Sequence, residues 1–162
     1  MSQPRVAPYG SWKSPITSDL IVGGTVGLTQ PWLSGDYVYW IEMRPTEGGR
    51  MVIVRANAAG EFTDITPPPF NARTRVHEYG GGDYTVNGAD VYFSNFSDQR
   101  LYVQKDGAPP QAITPAENVR YADPIFDATR QRLISVREDH RHPPQELNDP
   151  GWAFGEDLLA ER

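Results

Sequence analysis

The chain has no cysteine among its 162 residues, which excludes a disulfide framework, a thiolate metal site and a cysteine nucleophile. Basic residues are also in deficit. Fifteen Lys and Arg stand against 21 Asp and Glu, for a net charge of −6, so neither nucleic acid nor a membrane surface is an expected partner. Long hydrophobic runs are missing as well. "LIVGGTVGL" is too short to cross a bilayer and is broken by Gly23, Gly24 and Gly27. The residues before it do not read as a signal peptide, because no apolar stretch closely follows the basic ones. A cytoplasmic location is expected.

Helical periodicity is nearly absent until the last dozen residues, where "WAFGEDLLAER" suggests a short amphipathic helix. What is abundant is turn chemistry: 15 Gly and 15 Pro are spread along the chain and separate short β-rich runs. The clearest runs are "DYVYWIEM" (36–43), "RMVIVRA" (50–56), "ADVYFSN" (89–95), "RLYVQ" (100–104) and "QRLISVRE" (131–138). "MVIV" is apolar at every position, so that strand is expected to be covered on both faces. The fold class is all-β.

These runs repeat. Val38 in "GDYVYW" aligns with Val91 in "GADVYF", a step of 53, and Ile65 in "DITP" aligns with Ile113 in "AITP", a step of 48. A third copy begins at "RYADPIFDATRQRLIS", where Leu133 matches Val91 at a step of 42. About four strands in roughly 40–50 residues is the period of a propeller blade; a β-sandwich with similar hairpins is the alternative. The implied organisation is an N-terminal extension (1–26), a partial β-propeller (27–142, with blades near 27–67, 75–115 and 120–142) and a divergent tail (143–162). Roughly two and a half blades do not close a ring of about four to eight. The chain is therefore expected to be part of a longer propeller, and its uncovered blade faces are expected to self-associate.

The string "RTRVHEYGGGDYTV" places Gly80, Gly81 and Gly82 behind Arg75, His77, Glu78 and Tyr79. A phosphate cradle would need a basic residue and a helix after the glycines, but Asp83, Tyr84, Thr85 and Val86 follow and read as strand. The glycines read as a structural turn at a blade entry, with φ > 0 expected at Gly81 and Gly82. Arg75, His77, Glu78 and Tyr79 are candidate peptide-binding groups. Their structural alternative is an inter-blade network with Arg75 and Glu78 in salt bridges and Tyr79 packed. Tyr39, Trp40, Tyr92 and Phe93 recur at matching repeat positions and read as blade core.

"SPITSDLIV", "RPTEGGR", "NARTRVHEYGGGDYTV", "VYFSNFSDQRLY" and "VREDH", in this order, resemble the N-terminal propeller of prolyl oligopeptidase-family (S9) serine peptidases. The branch they resemble is that of acylaminoacyl-peptidases and dipeptidyl aminopeptidases. The resemblance covers about Ala7 to His140. It implies a propeller that gates and orients peptide substrate for an α/β-hydrolase domain lying outside this sequence. A non-enzymatic TolB-like binding propeller and a truncated reading frame without its own function are the competing readings.

No catalytic residue is assigned. None of the eight serines lies in the G-x-S-x-G elbow that such a hydrolase requires, and the histidines are only His77, His140 and His142. No esterase or peptidase activity is therefore expected of this chain alone. "EDHRH" gathers two histidines, but Pro143 and Pro144 follow and no third histidine is near, so no metal site is assigned. No cofactor is expected.

Overall fold

The computed structural model describes residues 6–11, 13–141 and the strand at 152–159; for that strand and for Val22 only the backbone is described. A one-turn helix, α1 (Ser18–Val22), opens the chain, and the Thr17 hydroxyl caps it by accepting from Leu20 N at 3.1 Å. The remaining named elements are strands, apart from one 3-10 turn at Pro45–Glu47.

Three antiparallel sheets follow one another along the sequence. The first holds β1 (Gly27–Ser34), β2 (Tyr37–Arg44), β3 (Arg50–Ala56) and β4 (Phe62–Asp64). The second holds β5 (Tyr84–Asn87), β6 (Asp90–Ser94), β7 (Leu101–Gln104) and β8 (Gln111–Ala112). The third holds β9 (Val119–Asp127), β10 (Arg132–Asp139) and β11 (Trp152–Leu159). Each sheet is an up-and-down meander, and β1, β5 and β9 lie beside one another as the inner strands. This is a partial β-propeller.

The repeat is visible atom by atom. Val38 sits opposite Ala56, and Val91 opposite Gln104. Ile53 N donates to the Thr66 hydroxyl at 2.9 Å, and Leu101 N to the Thr114 hydroxyl at 3.1 Å. Both hydroxyls are buried, and each satisfies a backbone N–H that strand pairing leaves over. The change of step from 53 to 48 falls in the middle hairpin, where β2 and β3 are longer than β6 and β7.

The sheets pack face to face. Tyr39, Ile41 and Ile53 of the first sheet meet Tyr84, Val86, Val91 and Phe93 of the second. On its other face the second sheet offers Tyr92 and Val103 to Leu133, and Leu101 to Val119 and Tyr121. Tyr92 stacks on Phe126 with ring centroids 5.6 Å apart. Val52, Ile53 and Val54 are all buried, as expected for an apolar run covered on both faces. Trp40 departs from its repeat partners. It is half-buried and edge-on to the exposed Phe62 at 5.6 Å, not enclosed between sheets.

The C-terminal helix expected over 152–162 is corrected. Trp152–Leu159 is strand, with Trp152 opposite Glu138 and Leu159 opposite Arg132. Without it β10 would keep one row of unpaired N–H and C=O groups, and pairing that row outweighs the weak helical preference of the segment. No described helix is long and apolar enough to cross a membrane.

Candidate functional site

Two strained backbone positions shape the inner strands. Gln30 (φ 52°) precedes Pro31 in β1, and Asp123 (φ 51°) precedes Pro124 in β9. Positive φ is uncommon for residues other than glycine. At both sites the ladder shifts register, between Thr29 and Trp32 in β1 and opposite Ile134 and Val136 in β9. Each is a bulge that re-aims a polar side chain sideways, and proline fits there because no N–H is required.

The re-aimed side chains join the three inner strands. Gln30 Nε2 donates to Asp83 Oδ2 at 2.6 Å, and Asp83 N donates back to Gln30 Oε1 at 2.9 Å. Asp83 Oδ1 also accepts from Thr74 N at 2.6 Å, and the Tyr84 hydroxyl donates to Gln30 O at 2.7 Å. On the other side, Gly82 N donates to Asp123 Oδ1 at 2.6 Å while Asp123 N donates to Gly82 O at 2.8 Å. The carbonyl of Tyr121 accepts from both the Thr74 and Ser94 hydroxyls, each at 2.7 Å.

The glycine triplet lies at this seam, and the structure corrects its expected conformation. Of the three, only Gly80 has positive φ (98°). Gly81 and Gly82 serve close approach instead. A Cβ on Gly81 would lie 3.0 Å from the Ala122 Cβ, and one on Gly82 would lie 2.8 Å from Asp123 Oδ1. The strain sits earlier, in consecutive left-handed residues His77 (φ 58°) and Glu78 (φ 65°).

The four candidate binding residues divide. The backbone of Arg75 is held from both ends, its N–H by Gln99 Oε1 at 2.7 Å and its carbonyl by the Arg120 guanidinium at 2.8 Å. Its own guanidinium, like that of Arg73, stands over the Phe96 ring at 5.1 Å. Glu78 pairs with Arg120 at 2.6 Å, not with Arg75, and this guanidinium holds its carboxyl below the usual range. The N–H of His77 reaches Glu138 Oε1 at 3.4 Å. Tyr79 is 87% exposed, against the expectation of a packed ring, and its ring lies 5.7 Å from that of His77. Three of the four thus take part in a network between the second and third sheets, and Tyr79 projects from it.

His140 approaches Glu138 at 2.8 Å; His142 lies outside the described residues. Among the described residues no group of three His, Asp or Glu side chains is placed to hold a metal.

Burial raises the Asp83 carboxyl above its ordinary value, against the opposing effect of its hydrogen bonds from Thr74 and Gln30. A raised folded-state pKa means that the native chain holds its proton more tightly than the unfolded chain. Asp83 therefore withdraws stability as pH rises from about its unfolded value toward its folded one. Asp83→Asn removes that titration, so the stability gap between parent and variant is expected to widen as pH is lowered from 6 to 4. Urea unfolding of both proteins across that range tests this, and a constant gap refutes it.

Two cavities border the seam. One, of about 520 Å3, is lined by Thr29, Met43, Met51, Arg73 and Tyr79 among others. The second, of about 330 Å3, opens between the inner strands beside Gln30 and Asp123. Sequence reading missed Gln30, Asp83 and Asp123. The available signal was a polar residue before proline, "QP" at 30–31 and "DP" at 123–124, recurring at one level of the repeat.

No protein-family model matches the chain. Among solved structures it is similar to a Mycobacterium tuberculosis puromycin-hydrolyzing peptidase, with 37% identity and a TM-score of 0.70, covering 83% of this chain and 22% of that one. A puromycin hydrolase gives 34% identity and a TM-score of 0.70 over 85% of this chain and 23% of that one. Shorter similarities join it to curated D-alanine–D-alanine ligases. That of Methylorubrum populi is 37% identical over 62 residues, 38% of this chain and 19% of the ligase. That of Rhodopseudomonas palustris is 41% identical over 39 residues, 24% of this chain and 13% of the ligase. The chain spans about a fifth of the length of the relatives and structures it matches most extensively. The peptidase match covers 83% of this chain at an identity equal to that of the shorter ligase match. With its repeated meanders and the "RTRVHEYGGG" seam, the chain resembles the N-terminal propeller of S9-like serine peptidases, of which it spans about a fifth.

Proposed function

We propose that this chain is the propeller portion of a serine peptidase, gating and orienting peptide substrate for a hydrolase domain outside the present sequence. The observation that carries this reading is the fold-level match to two puromycin-hydrolysing enzymes across more than four fifths of the chain. The seam supports it. Paired hydrogen bonds fix the inner strands side by side, so an opening bounded by them resists widening and excludes a folded protein on size.

The outer faces fit the same reading. Leu28, Val38 and Phe62 are exposed on the first sheet, and Ile125 and Ile134 on the third. These are the faces that neighbouring blades would cover, and in the isolated chain they favour self-association.

The test is a chimera in which residues 27–139 replace the equivalent region of the M. tuberculosis puromycin-hydrolyzing peptidase. The chimera is expected to hydrolyse puromycin and to leave a folded protein substrate uncut. Cleavage of that folded substrate by the chimera, at the rate of a version lacking the region, overturns the gating reading.

A further inference from the structure

We propose that the 330 Å3 cavity between the inner strands takes the arginine side chain of a peptide, an assignment that rests on the peptide-handling reading above for the ligand class alone. Pro31, Trp32, Tyr84, Asp123, Pro124 and Ile125 line it. Its volume lies at the small end for ligand pockets and suits one side chain rather than a whole peptide.

Several of its polar atoms are already engaged. The Tyr84 hydroxyl donates to Gln30 O, and both ends of the Gln30 amide are bound to Asp83. Asp123 Oδ1 accepts from Gly82 N. Asp123 Oδ2 remains, with no hydrogen bond or ion pair from any described residue. The cavity is lined mainly by apolar side chains, with the Asp123 carboxylate in its wall. No Lys or Arg lines it, so it does not suit an anion.

A cation with an apolar stem complements this arrangement. Trp32 is 40% exposed and presents an indole, the aromatic surface that attracts cations most strongly. A guanidinium is planar enough to lie on that ring while donating to Asp123 Oδ2 in a charge-assisted hydrogen bond. Its methylene stem would lie along Pro31, Pro124 and Ile125. Lysine offers the charge without the plane. The net charge of −6 adds a general attraction for cations.

The test titrates the intact chain with N-acetyl-arginine amide while following indole N–H signals by NMR. N-acetyl-citrulline amide is the neutral isostere, and phenylalanine amide supplies an α-ammonium beside an apolar ring. Arginine is expected to shift one indole signal saturably. Citrulline is expected to bind about tenfold more weakly, the loss of one charge-assisted hydrogen bond. Asp123→Asn, which keeps an acceptor for Gly82 N, is expected to weaken arginine binding about as much. Trp32→Leu, which keeps the apolar wall, is expected to weaken it several-fold, and this variant decides the matter if Asp123→Asn does not fold. Equal binding of citrulline, or full arginine affinity in a folded variant, overturns the proposal. Tighter binding of phenylalanine amide also overturns it, by reassigning the site to a peptide N-terminus. None of these outcomes bears on size exclusion by the chimera, so the subsite and the gating reading can fail separately.

Discussion

Phe93→Ala is expected to destabilise the chain by about 3–5 kcal/mol, the usual range for removing a fully enclosed aromatic side chain. Phe93 has no exposed surface and lies in the cluster that joins the first and second sheets. Its ring stacks on Tyr102 with centroids 5.7 Å apart and meets Phe70 edge-on at 6.0 Å. Truncation removes those contacts and leaves a cavity walled by two sheets that are each hydrogen-bonded along their length, so the walls cannot collapse inward. Phe62→Ala is the control. Phe62 is 71% exposed, and its truncation is expected to cost less than about 1 kcal/mol. Urea unfolding of the two variants measures the difference, and equal midpoints refute the interlocked core.

Gly82→Val is expected to be the second large loss, about 1–3 kcal/mol from crowding with about 1 kcal/mol more if the Gly82–Asp123 hydrogen bonds part. The new Cβ would stand 2.8 Å from Asp123 Oδ1 and 3.3 Å from the Asp123 Cα. The side-chain oxygen can turn away, but the Cα belongs to β9 and moves only with its strand. Asp123→Ala in the Gly82→Val background is accordingly expected to recover part of the loss and not all of it. Thermal melts of the single and double variants decide the matter. A Gly82→Val protein that melts with the parent removes close approach as the reason for the glycine.

The parts of the fold that were legible are those where local pattern and tertiary role agree. β2, β3, β6, β7 and β10 emerge from β-branched and aromatic runs bounded by turn residues, and the 53- and 48-residue steps foretell which residues occupy equivalent places. β1 and β9 were not picked out as strands, and for one physical reason. Each contains a proline that argues against a strand interior, and only the bulge before it, with Gln30 or Asp123 at positive φ, reconciles the two. The candidate site was less legible for a related reason. Arg75, His77, Glu78 and Tyr79 draw the eye because they are charged and aromatic together, yet the contacts of Glu78 and His77 lie 42 and 61 residues away, at Arg120 and Glu138. Gln30 and Asp83 are 53 residues apart and meet through two hydrogen bonds of the Gln30 amide, one to the Asp83 carboxylate and one from its backbone N–H. Such pairings leave no mark in local periodicity. The tail misled differently, since its apolar spacing suits a helix while the vacant edge of β10 asks for a strand.

The two inner-strand junctions are built differently. Between the second and third sheets, Asp123 N donates to Gly82 O, and Gly82 N donates back to the short Asp123 side chain. Between the first and second, the bonds to Asp83 come from the longer Gln30 side chain, three rotatable bonds ending in an amide, beside the Tyr84 hydroxyl on Gln30 O. The length of the Gln30 side chain thus spans the gap between the first two sheets, whereas the second and third meet directly at Gly82.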